Sequence, residues 1–296
     1  MKCLVCGNEA FELFHKGTRD HSEVDVMKCS NCRSLQLSSF SQVYEGFYEE
    51  GNMRKNQYDA SKDEYTEEMW DSWVKETRAD DCRRTAMLGK MCVGGGNILD
   101  FGCGNGGFLK RLREEKITNN IMGVELDREA CKRLHNDKIN VYQRLNDIDE
   151  EVTFNVVTMF HVIEHLKDPG KVVSDIKNRL ADGGLLVIET PNAEDALISQ
   201  YHSRSFMDFT FWSEHLFLYT SESLEMLMRQ GGFSVVSNGQ IQRYPLSNHL
   251  YWLSENMPGG HVKWNMLDDD KLNKEYENKL RGMNKCDTLF GIFRKD

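Results

Sequence analysis

Ile98-Leu99-Asp100-Phe101-Gly102-Cys103-Gly104-Asn105-Gly106-Gly107 runs from an apolar strand into a glycine loop that opens a helix. Gly102, Gly104 and Gly107 satisfy G-x-G-x-x-G, so a dinucleotide fold has to be weighed first. Asp100 argues against it. A carboxylate two residues before the first glycine would face a pyrophosphate with like charge, and it suits a ligand that presents an ammonium and a sulfonium. Glu125 closes the next apolar stretch, where an acceptor can take both hydroxyls of a ribose bidentately.

Outward from this loop the texture alternates between short apolar runs and amphipathic helices. Strands are expected at 97–101, 121–125, 154–160 and 184–189, and helices near 107–116, 128–137 and 169–181. A helix at 221–230 has Thr220 or Ser221 as its cap and Gly231-Gly232 as its stop. A strand at 233–237 follows, then an irregular aromatic stretch at 241–267, an acidic helix at 268–281 and a last strand at 288–294. Upstream, residues 62–92 read as helix, with Tyr65, Met69 and Trp73 at steps of four. The division expected is a cysteine module at 1–45, a helical linker or cap at 46–92, a core at 93–240, an acceptor-side insertion at 241–285 and a terminal core strand at 286–296.

Asp-x-Gly-x-Gly-x-Gly with its downstream acid resembles the class I S-adenosylmethionine (SAM)-dependent methyltransferases, over about residues 90–240 plus the last strand. The resemblance implies an α/β fold, a Rossmann-like, doubly wound, seven-stranded methyltransferase sheet. It implies SAM as cofactor, held by Asp100, Gly102, Gly104, Gly106 and Glu125, with Phe160 and His161 beside it. The third strand is poorly marked, so the adenine contact falls to Asn146 or Asp147. Where that family usually has Phe-Asp at the start of the fourth strand, this chain has Phe154-Asn155.

His161-Val162-Ile163-Glu164-His165 matches the inverted zinc-protease pattern HxxEH, which needs a helix in a peptide cleft. Its place directly after the fourth strand removes that reading. The motif is similar to the ExxEH of ubiquinone O-methyltransferases and small-RNA 2′-O-methyltransferases, which helps bind a divalent ion there. That likeness makes His161, Glu164 and His165 a candidate second metal set, with buried scaffold as the competing role.

Cys3-x-x-Cys6 and Cys29-x-x-Cys32 are two knuckles that together complete a tetrahedral, closed zinc shell. The ion would be structural, supplying folding energy that a 40-residue segment cannot find in its own core. Cys82, Cys92, Cys103, Cys131 and Cys286 read as packing residues.

The acceptor should be met by two aromatic stretches. One holds Trp212, Glu214 and His215; the other holds Arg243, Tyr244, Asn248, His249, Trp252, His261 and Trp264. Aromatic faces beside His, Asn and Arg suit a hydroxylated, partly apolar ring. His215 is the candidate base, with Glu214 orienting its ring, and activity should fall below pH ~6.5. A cysteine module ahead of this fold, with Glu-His before a capped helix, looks like the sugar methyltransferases of bacterial polysaccharide and antibiotic pathways. The carbon methyltransferases of that group carry Tyr-His-Glu-His; this chain has Trp212-Ser213-Glu214-His215, which favours oxygen over carbon as the methylated atom. The competing functions are a zinc-containing rRNA base methyltransferase, a sugar C-methyltransferase and a non-catalytic zinc adaptor.

Composition bounds these readings. The chain has 296 residues, is 40% hydrophobic and contains four prolines, which allows one full-sized domain with an appendage. Lys and Arg number 37 against 47 acids, a formal charge of −10. That surface repels polyphosphate and points to a small-molecule or glycan acceptor instead of nucleic acid. No apolar run approaches the ~20 residues of a membrane span, and Met1-Lys2-Cys3 does not begin a secretion signal, so a cytoplasmic protein is expected.

Overall fold

The fold is taken from a computed structural model, which describes residues 1–58, 66–91, 96–118 and 120–296. Tyr65 and Cys92 lie outside the described residues. Strands, in chain order, are β1 (Phe11–His15), β2 (Val26–Cys29), β3 (Leu35–Leu37), β4 (Ile98–Phe101), β5 (Ile121–Val124), β6 (Val141–Tyr142), β7 (Phe154–Phe160), β8 (Leu180–Pro191), β9 (Phe217–Leu218), β10 (Phe233–Ile241) and β11 (Thr288–Lys295). Helices are α1 (Asn52–Tyr58), α2 (Glu67–Met91), α3 (Gly107–Glu114), α4 (Arg128–Asn136), α5 (Pro169–Arg179), α6 (Ala196–Ser199), α7 (Arg204–Thr210), α8 (Ser221–Gln230), α9 (Leu246–Glu255), α10 (Gly260–Lys263) and α11 (Asp270–Gly282).

Seven strands form one mixed sheet in the order β10-β11-β8-β7-β4-β5-β6. β4 pairs in parallel with both β5 and β7, while β11 runs antiparallel between β8 and β10. Alternation along the strands buries both faces. Leu99, Val157, Leu186 and Ile188 pack with α5 and α8 through Val173, Ile176, Leu224 and Leu227. Ile98, Val156 and Val187 pack on the other side with Leu88 of α2, Leu109 and Leu112 of α3 and Leu134 of α4. Chain order reverses between β4 and β7, which opens a crevice beyond their carboxyl ends.

The second sheet, β1-β2-β3-β9, ties the N-terminal segment to the core. Its last strand begins two residues after His215, and Leu35 pairs with Leu218. Two of the segments that differ from expectation bear on the site. Residues 241–267 are largely helical, because α9 turns Ser247, Asn248 and His249 inward beside Tyr251 and Trp252, and polar buried positions hide the apolar period. The strand expected at 233–237 continues to Ile241, held by pairing with β11 on both sides of a bulge between Val235 and Ser237.

Candidate functional site

The crevice is part of a cavity of about 1270 Å³ that reaches from the glycine loop to α9. At one end, β4 delivers Asp100, which is buried and accepts a 2.7 Å hydrogen bond from Thr158 Oγ1 on β7. Burial pushes its carboxyl up to about 7. The loop that follows needs glycine twice over. Gly102 and Gly104 have φ of +79° and +54°, and a Cβ would sit 2.4 Å from Val162 Cγ2 and 2.8 Å from Trp73 Cζ2 respectively. Glu125, also raised by burial, accepts from Gly104 N at 2.8 Å and from Asp127 N at 3.0 Å. Asp127 then caps α4 through Glu129 N and Ala130 N.

Asn146, Phe160 and His161 line the cavity, as do Asp100, Gly102, Gly104 and Glu125. Gly106 and Asp147 are not among its lining residues. Gly106 instead caps α3 with φ +69°, facing Leu134. Asp147 is exposed and accepts from Arg144 N at 2.9 Å.

Behind this end lies an ionic core contributed by α2 and not expected from sequence. Arg83 grips both oxygens of Glu189 at 2.6 and 3.0 Å, and Arg84 Nε adds a third bond at 2.8 Å. Burial alone would raise Glu189, but Arg84 and Arg83 outweigh it and hold the carboxylate ionised. Asp80 bridges Arg83 to Arg243, whose Nε donates at 3.1 Å. Only the coincidence of four charges on one helix face, Asp80, Asp81, Arg83 and Arg84, signals this in the sequence.

HxxEH sits in a tight turn after β7. Arg243 Nη1 lies 3.1 Å from His161 Nε2, and guanidinium can only donate, so that nitrogen accepts. His161 Nδ1 therefore carries the proton and donates to Glu164 Oε1 at 3.2 Å. Burial and Arg243 hold this ring well below the usual histidine range. Both of its nitrogens are engaged, so His161 is a bridge between Arg243 and Glu164. Glu164 is fully buried, accepts from Thr190 Oγ1 at 3.0 Å, and is pushed up to about 8 by burial.

His165 donates from Nδ1 to the Glu214 backbone carbonyl at 2.7 Å, which leaves its Nε2 lone pair. His215, 5.0 Å from it ring to ring, hydrogen-bonds the Thr210 backbone and has a buried Nδ1 with no partner among the described residues. Burial lowers its pKa to about 4. Ligand atoms of Glu164, His165 and His215 all lie within 4.8 Å of one another. The metal-competent set thus exchanges His161 for His215. Two neutral imidazoles with free lone pairs and one carboxylate fit a divalent ion. The Glu214 side chain does not orient His215; its Oε1 accepts from Asn56 at 3.3 Å, and burial pushes it up to about 7.

Around the other end stand Trp212, edge-on to His215 at 5.7 Å, then Tyr244, Asn248, His249, Trp252 and His261. His249 is satisfied internally: Gln242 Nε2 donates to its Nε2 at 3.1 Å, and its Nδ1 meets Tyr276 at 2.8 Å. His261 Nδ1 lies 3.3 Å from Asn248 Oδ1. Trp264 packs on Tyr251 within the cap and is not among the lining residues. Sequence reasoning passed over Arg19, Tyr48 and Arg54, which also line the cavity and arrive from the first 54 residues.

Sγ atoms of Cys3, Cys6, Cys29 and Cys32 lie within 4.8 Å of one another, with Cys3–Cys32 and Cys6–Cys29 both at 3.6 Å. Edges near 3.8 Å are what a tetrahedron of ~2.3 Å zinc–sulfur bonds requires, so the set fits that ion. Both knuckles turn through a left-handed residue four positions after the first cysteine, Gly7 (φ 74°) and Arg33 (φ 62°).

A seven-stranded mixed sheet, a glycine loop at its switch point and an acid on the neighbouring strand define a SAM-dependent methyltransferase. The chain belongs to the methyltransferase-domain family, whose profile matches residues 70–238, more than half of its length. It is 26% identical over 207 residues to the ubiquinone biosynthesis O-methyltransferase of Psychrobacter arcticus, covering 63% of this chain and 78% of that one. It is 30% identical over 107 residues to the mitochondrial ubiquinone biosynthesis O-methyltransferase of Candida albicans, covering 33% of each. The chain thus spans between a third and about four fifths of such relatives. A SAM-dependent methyltransferase of Archaeoglobus fulgidus shares the fold, with 19% identity, 76% and 99% coverage and a TM-score of 0.51. One of Thermotoga maritima does so at 17%, 82%, 99% and 0.50.

Proposed function

We propose that this methyltransferase moves the methyl group of SAM to a hydroxyl oxygen on a ring-bearing small molecule, a sugar, nucleotide-sugar or glycan precursor. The observation that carries the oxygen chemistry is the buried Nδ1 of His215, without a partner among the described residues, beside His165 and between the glycine-loop end and the aromatic end of the cavity. Relatives named as O-methyltransferases support the same atom. A flat aromatic surround of Trp212, Tyr244 and Trp252 favours a ring.

SAM brings a methyl group already made electrophilic by its sulfonium, so the protein's task is alignment and removal of one proton. Asp100 would receive the methionine ammonium and Glu125 the ribose hydroxyls, with Asn146 near the base. The acceptor oxygen forms the new bond to carbon as the sulfur–carbon bond breaks, and His215 Nδ1 takes the hydroxyl proton. In the alternative, metal-assisted form, a divalent ion held by Glu164, His165 and His215 would occupy that same Nδ1 lone pair and supply Lewis-acid polarisation of the acceptor oxygen in place of the His215 base. Zinc at the four cysteines would hold the module's fold and take no part in transfer.

Product analysis with isotopically labelled methyl-SAM tests this reading across sugar, nucleotide-sugar and phenolic acceptors. Label on oxygen supports it, and label on carbon or in RNA overturns it. Loss of turnover on chelation, restored by Mg²⁺ or Mn²⁺ while the cysteine site stays loaded, would favour the metal-assisted form over the His215 base.

A further inference from the structure

The N-terminal module reaches into the acceptor end of the cavity through one loop. Residues 17–22 form a tight turn, with Gly17 at φ +73° and Thr18 N donating to His21 O at 2.9 Å. That turn is fastened to the segment before His215. Arg19 N donates to Phe211 O at 2.9 Å, and both Asp20 oxygens are taken by Ser213, from its N at 3.0 Å and its Oγ at 2.7 Å. Arg19 itself is held by aromatic faces. Its guanidinium carbon lies 4.5 Å from the Trp212 ring centre and 5.4 Å from that of Phe209. Stacking of this kind occupies the faces of the guanidinium and leaves its in-plane N–H groups to donate.

The other arginines along the cavity are already committed. Arg84, Arg144 and Arg243 each lie within 4.0 Å of a carboxylate, and Arg54 donates to Gln57 Oε1 at 2.6 Å while stacked on Trp73. Arg19 has no carboxylate within that distance among the described residues, although it lines the cavity. The acids whose charge acts on it are Asp20, engaged by Ser213, and Glu214, which accepts from Asn56.

We propose that Arg19 forms an anion subsite at the acceptor end, so that the cysteine module selects acceptors carrying a phosphate or carboxylate beside the methylated ring. A stacked guanidinium offers two parallel donors to either group, which is bidentate recognition with its orientation settled beforehand. The inference deepens the reading of this cavity as a methyl-acceptor site and rests on it. It gives the module a second task besides holding its own fold.

The test is calorimetry on the full chain saturated with S-adenosylhomocysteine, using two ring series. One is glucose, glucose 1-phosphate and glucuronate; the other is phenol, phenyl phosphate and benzoate. In at least one series a charged member should bind roughly tenfold or more tighter than its neutral parent. Which anion gains distinguishes phosphate from carboxylate. R19Q should bring the charged member to within about twofold of the neutral one and leave neutral binding, metal content and S-adenosylhomocysteine affinity unchanged, while R19K should keep part of the preference. If R19Q loses the module's metal, R19M keeps an apolar side chain against the Trp212 and Phe209 faces and carries the same comparison. Equal affinity of charged and neutral members in both series, an unchanged preference in R19Q, or no binding by any charged probe overturns the proposal. Failure of S-adenosylhomocysteine to bind would strike the methyltransferase site itself, and a preference confined to the phenyl series would remove the sugar reading alone.

Discussion

At the cofactor end of the cavity, Asp100, Gly102, Gly104 and Glu125 belong to one strand–loop–helix–strand unit, while Arg19, Tyr48, His165, His215 and Trp252 meet at the acceptor end from segments scattered along the chain. The first end is a local construction whose geometry follows from neighbouring residues. The second exists only once the cysteine module, the turn after β7, β9 and the C-terminal cap have docked. Damage should therefore separate cleanly: changes at one end should spare the other.

The largest effect is expected from Cys29→Ser. Structural zinc contributes on the order of 10 kcal/mol or more to small modules, so the variant should lose its ion and the fold of residues 1–40. Elemental analysis and hydrogen exchange report this, and methyl transfer should vanish while SAM affinity stays within about twofold. A metal-free variant with normal turnover would show that the acceptor end does not depend on the module.

His215→Ala comes next. Loss of the base should lower kcat by ~10²–10⁴ with SAM affinity intact. The acid limb of the wild-type profile should fall near pH 4, where burial places this imidazole, and not near the ordinary histidine value. Protonation at lower pH fills Nδ1 and stops proton removal.

Glu125→Ala perturbs the opposite end. Losing a bidentate acceptor should cost about 1.5–3 kcal/mol of SAM binding and leave acceptor-probe affinity unchanged. Calorimetry with each ligand separately measures both.

The smallest effect is a pH dependence. Asp100 has a folded-state pKa of about 7, above the ordinary carboxylate value of about 4. Below 7 the carboxyl is neutral and must release a proton before pairing with an ammonium, so SAM affinity should rise with pH, by at most tenfold per unit, and level off above about 7. For the ligand-free chain the sign is opposite: the folded state holds this proton more tightly, and the stability it contributes is lost as pH rises from about 4 to 7. Asp100→Asn should flatten both trends.

The same contrast explains what could be read from sequence. Asp100, the glycines and Glu125 are legible because strand period, loop composition and spacing are local signals. β6 escaped because two residues, Val141 and Tyr142, carry no period. α9 escaped because its inward face holds Ser247, Asn248 and His249. The exchange of His161 for His215 in the metal-competent cluster turns on Arg243, which arrives from far along the chain and takes the Nε2 of His161. No spacing rule contains that contact, nor the one that seats Arg19 on Trp212.

Pairing of β3 with β9 has a consequence for how the chain is made. During synthesis the cysteine knuckles leave the ribosome well before the strand that covers their sheet, Phe217–Leu218, which follows some 180 residues after β3. Until then β3 presents an open edge with buried-type side chains, Leu35 and Leu37, to any neighbouring nascent chain. Early metal capture would keep that fragment compact through the wait, and the seating of β9 would be a long-range closure between segments some 180 residues apart.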